Sequence, residues 1–215
     1  IHAASMQLGG LTTAENLEAS TRNSLCRAEE KKVKSIAFPA IGTGIAGFDT
    51  KRCAEIKRAA GKMGLGLSCL ASGAAWGCPI TSQKKSVRDK AAAFNKAYVE
   101  TASMLGVGAV LLVPGFVGVA WEKDAEVVPY DIAWKNALAA VKKLAALGEK
   151  LKVTICVENV WNKFLLSPLE MKEFVAKVGS ARCGVYFDAA NVMAVGYPEQ
   201  WIRILGKRIK RVHVK

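Results

Sequence analysis

The sequence predicts an α/β fold made of an incomplete series of parallel (βα) units with about seven strands. Two observations lead to this prediction. Short apolar stretches of strand length alternate strictly with longer amphipathic stretches of helical period along the 215 residues. The strands also read as apolar runs, as in Val153 to Val157, which is typical of strands buried on both faces of a parallel sheet. Seven successive units favour a barrel over an open sheet.

The predicted elements follow one another without a long linker. Strands are expected at Ile1–Ser5, Ser35–Ile41, Leu65–Ser72, Gly108–Gly115, Val153–Glu158, Gly184–Asp188 and Arg211–Val214. Helices are expected at 11–34, 49–63, Ser86–Leu105, Pro129–Leu147, 167–178 and Glu199–Leu205. Ser167 is the expected N-cap of its helix, with Pro168 at the first helical position.

The composition is that of a basic globular protein. Hydrophobic residues make up 51% of the chain and charged residues 23%, which excludes a disordered chain. The net charge of +13 is spread over short basic runs, which are expected to be solvated helix faces. Attraction of anionic small molecules stays open as a second interpretation. No aromatic residues interleave with the basic runs, so a nucleic-acid partner is not expected.

Cysteine usage and hydropathy predict a cytoplasmic protein that is not in a membrane. The six cysteines show no CxxC spacing, and several lie in apolar strand patterns, which suits a reducing compartment. No signal peptide is visible. The uncharged stretch Met104–Trp121 could span a bilayer by length, but its glycines and Pro114 indicate a buried strand and its loop. Because the chain begins at Ile1 without Met and stops directly after a strand, we expect a fragment.

Three predicted strands end in side chains that can bind metal or transfer protons. These are Glu158, Asp188 and His213. In a barrel, the ends of adjacent strands meet at one mouth, and two carboxylates with an imidazole suit Mn²⁺, Mg²⁺, Co²⁺ or Zn²⁺. Each residue also has a structural interpretation: Asp188 as the cap of the turn into Ala189–Met193, His213 as a core histidine, and Glu158 as the partner of Lys163.

The first quarter of the chain carries a glycine-rich turn between a strand and a helix. Such a turn exposes backbone N–H groups that suit phosphate. With IHAAS, TTAENLEASTRNSL and KSIAFPAIGTGIAGF, the segment 1–56 resembles the second half of a macro domain, the ADP-ribose-binding module. The resemblance implies that the loop would wrap a diphosphate and ribose. Its residues are Gly42, Thr43, Gly44, Ile45, Ala46, Gly47 and Phe48. The first half of such a module has no counterpart here.

From about Lys57 to Lys215 the chain resembles the sugar phosphate isomerase/epimerase family of xylose-isomerase-like TIM barrels. The stretches that carry the resemblance include CLASGAAWGCPITS, VTICVENVWNKFLLSPLEM and GVYFDAANVMAVGYPEQW. The resemblance implies a TIM-barrel-like segment 57–215 holding strands three to seven, preceded by two macro-domain-like βα units. It also implies a divalent metal held by Glu158, Asp188, His213 and a final Glu of strand eight, which the sequence lacks. Asn191 matches a position beside substrate or metal.

The implied function is the isomerisation or epimerisation of a ketose or sugar phosphate through an enediolate. Glu158 is expected to be one of two carboxylates that serve as general base and acid, the other being the missing strand-eight Glu. Trp161 and Lys163, which follow Glu158, are candidates for substrate contact together with Asn191. Since the strand-eight carboxylate is missing, we do not expect this chain to be a competent enzyme. Two alternatives stay open: an ADP-ribose-binding module, and an inactive chimeric or fragmentary protein. An endonuclease of the same superfamily is set aside, because its metals need more histidines than His2 and His213.

Overall fold

The described strands form one parallel sheet whose order follows the chain. A computed structural model describes residues 22–23, 26–27, 29–32, 35–39 and 50–213. Its strands are β1 (Ser35–Pro39), β2 (Gly66–Ala71), β3 (Ala109–Leu112), β4 (Thr154–Glu158), β5 (Cys183–Asp188) and β6 (Ile209–His213). Each strand pairs in parallel with the next along the chain, without the order reversal of a doubly wound sheet. The predicted strand Ile1–Ser5 lies outside the described residues.

Helices alternate with these strands as predicted. They are α1 (Thr50–Lys62), α2 (Lys85–Leu105), α3 (Tyr130–Leu151), α4 (Pro168–Val178), α5 (Ala189–Met193) and α6 (Pro198–Leu205). Helix α4 begins as the sequence predicts: the Ser167 hydroxyl accepts a hydrogen bond from the Glu170 N–H, and the Glu170 carboxylate accepts one from the Ser167 N–H. This capping box fixes the point where the loop after β4 ends.

One side chain shows that the sheet is curved. Arg211 on β6 donates from Nη2 to the Ser68 carbonyl of β2 at 3.3 Å. In a flat sheet these two strands, four positions apart, would be separated by roughly 19 Å at the usual strand spacing. An arginine side chain cannot reach that far, so the six strands curl into the arc of a barrel with Arg211 on its inner face.

The core has two layers, one on each side of this arc. Between the sheet and the helices lies the larger layer, which includes Val110, Ile155, Val157, Val185, Phe94, Val141 and Phe174. Inside the arc a smaller cluster includes Cys69, Leu111, Cys156 and Tyr186. Strands buried on both faces explain the unbroken apolar runs in the sequence.

Several element boundaries differ from the sequence prediction, and two of these differences follow from tertiary contacts. Strand β3 stops at Leu112 rather than Gly115, because Gly115 takes a φ of +82° and the Thr81 hydroxyl hydrogen-bonds both the N–H and the carbonyl of Phe116. Helix α3 runs past Gly148 to Leu151. A Cβ at Gly148 would lie 2.3 Å from the Val153 carbonyl oxygen, so this glycine permits close packing instead of ending the helix.

The stretch Met104–Trp121 forms the end of α2, the buried strand β3 and a loop, as predicted. No helix in the described part of the chain is long and apolar enough to cross a bilayer.

Candidate metal centre

The carboxyl ends of β4, β5 and β6 bring three metal-competent side chains together. Glu158 is the last residue of β4, Asp188 the last of β5 and His213 the last of β6. In the sheet register Asp188 pairs directly with His213, and Glu158 pairs with Tyr186, two residues before Asp188. Since side chains alternate between the faces of a strand, all three point to the inner face of the arc.

The donor atoms are close to one another. The Nδ1 atom of His213 lies 3.0 Å from Glu158 Oε1 and 3.3 Å from Asp188 Oδ2. One ligand atom from each residue lies within 4.8 Å of the other two. The structural interpretation of Glu158 as a partner of Lys163 is therefore replaced by a contact with His213. His213 is no core histidine either, because its side chain is 40% exposed.

Burial sets the electrostatics of this cluster. Glu158 is 6% exposed and Asp188 is fully buried. Two buried carboxylates side by side repel each other, and an adjacent cation or protonated imidazole offsets that repulsion. Two carboxylate oxygens and one imidazole nitrogen are a donor set that suits hard or borderline divalent cations. The residues present thus fit a divalent metal, with coordination positions left for substrate or other ligands.

Asp188 has a second role at the start of helix α5. Its Oδ1 accepts a hydrogen bond of 2.9 Å from the Asn191 N–H, so it caps a short helix where the sequence interpretation expected a capped turn. The cap uses one carboxylate oxygen and leaves Oδ2 directed at His213. The cap and the metal interpretation are therefore compatible.

Two asparagines hold the ends of β4 and β5 together. The Asn159 amide accepts from the Asp188 N–H at 2.9 Å and donates to the Asp188 carbonyl at 2.8 Å. The predicted substrate residue Asn191 donates from Nδ2 to the Asn159 carbonyl at 2.8 Å. Asn159 was not among the predicted site residues; the signal that could have found it is an Asn directly after a strand-end Glu.

The other two predicted substrate residues lie in the loop after β4. Trp161 donates from its indole N–H to the Asn191 carbonyl at 3.1 Å, and Lys163 is exposed with a φ of +53°. Both line a cavity of about 700 Å³ that Asn159 and Asn191 also border. Asn162, which sequence reasoning missed, is fully buried and donates to the Gly115 carbonyl at 2.6 Å, joining this loop to the loop after β3.

Two neutral side chains, Tyr186 and Cys69, lie beneath the three residues, on the inner face that also carries Arg211. The Tyr186 ring stands edge-on to the His213 ring, with centroids 6.1 Å apart. Burial raises the pKa of Tyr186 well above its usual value, and burial raises the pKa of the Cys69 thiol to about 11 despite its hydrogen bond with Tyr186. Both groups are uncharged at neutral pH, so they add no charge beneath the carboxylates. The predicted loop Gly42–Phe48 lies outside the described residues.

Comparison with known proteins identifies the fold. Residues 28–215 match the family described as xylose isomerase-like TIM barrel. The match includes residues 28–56 of the segment that resembles a macro domain. It does not locate a boundary near residue 56, so the division into 1–56 and 57–215 stays a prediction.

Several similar solved structures are sugar epimerases. A D-psicose 3-epimerase from Clostridium cellulolyticum H10, solved with D-tagatose, aligns with a TM-score of 0.78 at 16% identity over 90% of this chain and 67% of that chain. An L-ribulose 3-epimerase aligns with a TM-score of 0.74 at 20% identity, over 94% of this chain and 65% of that chain. A 3-keto-D-glucoside 4-epimerase from E. coli aligns with a TM-score of 0.73 at 10% identity, over 88% of this chain and 72% of that chain. At these identities the likeness shows the fold.

Curated relatives match over a short stretch. An uncharacterized protein of Sulfurisphaera tokodaii is 49% identical over 55 residues, which is 26% of this chain and 30% of that protein. An uncharacterized protein of Mycobacterium tuberculosis H37Rv is 43% identical over 56 residues, 26% of this chain and 16% of that protein. The chain thus covers less than a third of these relatives and about two thirds of the first two epimerase chains.

Proposed function

Because this chain belongs to the xylose isomerase-like TIM barrel family, we propose that it is the metal-binding part of a sugar isomerase or epimerase. The substrate is a ketose or its phosphate, and the reaction moves a proton beside the carbonyl carbon through an enediolate. The observation that carries the proposal is the set of donor atoms from Glu158, Asp188 and His213, all within 4.8 Å at three consecutive strand ends. The epimerases that share the fold support the choice of substrate class.

Glu158, Asp188 and His213 would hold the divalent metal. When bound, such an ion acts as a Lewis acid that polarises a carbonyl and offsets negative charge on neighbouring oxygens. The protein supplies the geometry: Asp188 is fixed by its cap on α5 and by Asn159, and Glu158 is fixed by its buried position and by His213.

Glu158 is the group proposed to transfer the proton. It stands at the mouth of the barrel, and in its ionised form it accepts a proton from the carbon beside the carbonyl while the electron pair moves toward the carbonyl oxygen. Protonation of the same carbon on its opposite face, by a second acid, gives an epimer. Return of the proton to the former carbonyl carbon, with a hydroxyl proton passing from one oxygen to the other, gives an isomer. General acid–base groups of this kind typically contribute about 10²- to 10⁴-fold in rate.

Manganese titration by calorimetry tests the proposal. We expect Glu158→Gln to weaken Mn²⁺ binding at least about tenfold, because a charged ligand becomes a neutral one. Glu199→Gln is the control: Glu199 is an exposed carboxylate in the first turn of α6, and its loss should leave binding unchanged. Identical Mn²⁺ binding by Glu158→Gln and the unmodified protein would refute the metal site.

The second candidate, ADP-ribose binding, depends on the loop Gly42–Phe48 and stays a prediction. Calorimetry with ADP-ribose tests it directly. Since the sequence lacks the first half of a macro module, we expect no binding tighter than about millimolar, a weak association of about 4 kcal/mol. Micromolar affinity would favour the binding module over the isomerase.

A further inference from the structure

The two ends of the sheet differ in charge. The end where the strands stop carries the carboxylates Glu158 and Asp188, and the long loop after β3 adds three acids against one lysine. The end where the strands begin is basic. Its cations lie beside the first residues of β2, β4, β5 and β6, and they define what we call the amino-end face: Lys62, Lys150, Lys152, Arg182, Lys207, Arg208 and Lys210. Among the described residues at these positions the acid is Glu149.

Contacts between neighbouring turns bring these cations together. Arg182 donates from Nη1 to the Lys152 carbonyl at 3.2 Å, which joins the turn before β5 to the turn before β4. Lys210 is the extra residue of a bulge in the pairing of β5 with β6, and its side chain packs over Gly184 at the start of β5. Because neighbouring strands are ~4.8 Å apart, the cations beside β4, β5 and β6 form one continuous positive surface.

Helix dipoles account for part of this charge. Lys62 and Lys150 lie in the last turns of α1 and α3, where a cation offsets the negative end of the helix. The other cations lie past the ends of the α-helices: Lys152, Arg182, Lys207, Arg208 and Lys210. Like charges gathered on one surface repel one another and destabilise the folded chain. A surface of this kind therefore indicates an anionic partner.

The amino-end face is poor in exposed apolar side chains. Of the large apolar side chains that are exposed in the described part of the chain, Met104 lies near a strand start, whereas Trp121, Trp161 and Leu166 belong to loops at the opposite end of the sheet. Protein interfaces have an apolar and aromatic core, and helices that bind membrane surfaces insert apolar side chains. Neither kind of partner matches a surface that offers cations almost alone.

A nucleic-acid duplex does match such a surface. Its outside is a regular array of phosphates, and cations bind it without contact to the bases. Single strands differ, because their exposed bases stack on aromatic side chains. The lack of aromatic residues among the basic runs, which argued in the sequence against a nucleic-acid partner, thus argues against single strands and leaves a duplex open.

We propose that the amino-end face binds the phosphate backbone of double-stranded nucleic acid without preference for base sequence. The duplex lies at the end of the sheet opposite to Glu158, Asp188 and His213, so the contact is binding alone and is independent of the proposed sugar chemistry. Lysine and arginine side chains replace the counterions of the duplex. With roughly four to six phosphates neutralised, the logarithm of the association constant falls with the logarithm of salt concentration at a slope of about −3.5 to −5.5.

Fluorescence anisotropy with labelled duplexes of about 24 base pairs tests the proposal, in DNA and RNA forms and from ~50 to ~300 mM KCl. We expect a Kd of about 1–100 μM at ~150 mM KCl, the range of binding without sequence preference. Two duplexes of unrelated sequence should bind equally. A single strand of the same length and a poly-glutamate chain should each bind at least about tenfold more weakly, because neither presents the phosphate array of a duplex.

Two triple variants with the same loss of charge locate the binding. Lys150→Gln, Lys152→Gln and Lys207→Gln, combined in one chain, remove three exposed cations of the amino-end face. This variant should bind the duplex at least about tenfold more weakly at ~150 mM KCl, and its salt slope should be smaller by about 2 to 3, since each phosphate contact contributes about 0.9.

The control combines Lys90→Gln, Lys135→Gln and Lys172→Gln. These lysines are exposed in the second turns of α2, α3 and α4, toward the other end of the sheet. The control should weaken binding by less than about threefold and keep the salt slope, because no phosphate contact is lost. All six substitutions replace exposed lysines, so both variants should fold, which circular dichroism verifies.

Equal losses of affinity in the two triple variants would overturn the proposal, because net charge and not one face would then attract the duplex. Tighter binding of the single strand or of poly-glutamate would overturn it in favour of those partners. Absence of duplex binding at ~150 mM KCl would also reject it. These outcomes are separate from the proposed function, since Mn²⁺ titration measures the metal centre and neither triple variant changes a residue there.

Discussion

The side-chain amide of Asn159 hydrogen-bonds both backbone groups of Asp188, its N–H and its carbonyl. The Asn159 Oδ1 accepts from the Asp188 N–H at 2.9 Å, and its Nδ2 donates to the Asp188 carbonyl at 2.8 Å. Asn159 directly follows Glu158, so one residue connects the ends of β4 and β5 and sets the separation of the two carboxylates. This is the role that groups outside the immediate ligand set play in metal sites.

Replacing Asn159 with alanine should weaken metal binding without removing a ligand. We expect the Kd for Mn²⁺ to rise about 10- to 100-fold, the range seen when groups that orient metal ligands are lost. Calorimetry measures the Kd, and thermal unfolding measures the accompanying loss of stability. Asn95→Ala is the matched control, because Asn95 is another buried asparagine whose Nδ2 bonds a backbone carbonyl, that of Ala91. If both variants lose stability and neither changes the Kd, Asn159 is only structural.

The loop that carries Trp161 and Lys163 should depend on the Tyr130 hydroxyl. This hydroxyl donates to Glu170 Oε1 at 2.6 Å and accepts from the Leu165 N–H at 3.1 Å. Tyr130→Phe leaves that N–H without its partner, which should cost ~1–3 kcal/mol of the free energy of unfolding. Urea unfolding measures the loss. Tyr197→Phe is the control: this tyrosine is 65% exposed, so its loss should change the free energy of unfolding by less than ~0.5 kcal/mol. If Tyr130→Phe loses no more stability than Tyr197→Phe, the Tyr130 hydrogen bonds contribute nothing.

Substitutions at two glycines can distinguish the cost of backbone strain from the cost of steric contact. Gly115 and Gly179 both have positive φ, +82° and +74°, but an added Cβ meets Thr81 atoms at 2.6 Å in the first and nothing within 4 Å in the second. Gly179→Ala should therefore cost ~1–2 kcal/mol from the left-handed backbone alone. Gly115→Ala should cost more, because Thr81 must also move from its hydrogen bonds with Phe116. Chemical denaturation of both variants compares them, and equal costs would contradict the close packing at Gly115.

Stability should fall at alkaline pH, in part through Cys183. Burial raises the pKa of this thiol from 9.0 to about 12. Between these two values the unfolded chain releases the thiol proton while the folded chain keeps it, so the stabilisation is complete below about pH 9 and is lost as the pH rises toward 12. The slope is at most about 1.4 kcal/mol per pH unit for one group.

The measurement is urea unfolding under reducing conditions at pH 8, 9 and 10. Cys183→Ala should flatten the decline above pH 9 relative to the unmodified protein. Cys26→Ala, at an exposed cysteine, should leave the slope unchanged. A slope that is the same with and without the Cys183 thiol would show that this group does not titrate differently on folding.

The parts of the fold that the sequence predicted depend on local patterns. Unbroken apolar runs located β4 and β5, and Ser167-Pro168 located the start of α4, because a cap and a first-turn proline act within a few residues. The meeting of Glu158, Asp188 and His213 follows from their places at the ends of consecutive parallel strands.

The parts that the sequence did not predict depend on contacts between distant residues. Gly148 looks like a helix terminator until Val153 packs against it, and β3 is shortened by Thr81, which lies more than thirty residues earlier. The roles of Asn159 and Asn162 are likewise set by backbone partners 29 and 47 residues away. No local sequence pattern indicates such distant partners. The resemblance of 1–56 to a macro domain stays a prediction, since its loop lies outside the described residues.

The central claim is that Glu158, Asp188 and His213 bind one divalent metal, and anomalous diffraction tests it most directly. Crystals grown with Mn²⁺ and measured near the manganese absorption edge should give one strong anomalous peak bonded to all three side chains. In crystals of Asp188→Asn that peak should be lost or much reduced. Crystals of the unmodified protein with no peak at these residues, or with manganese bound elsewhere, would contradict the account.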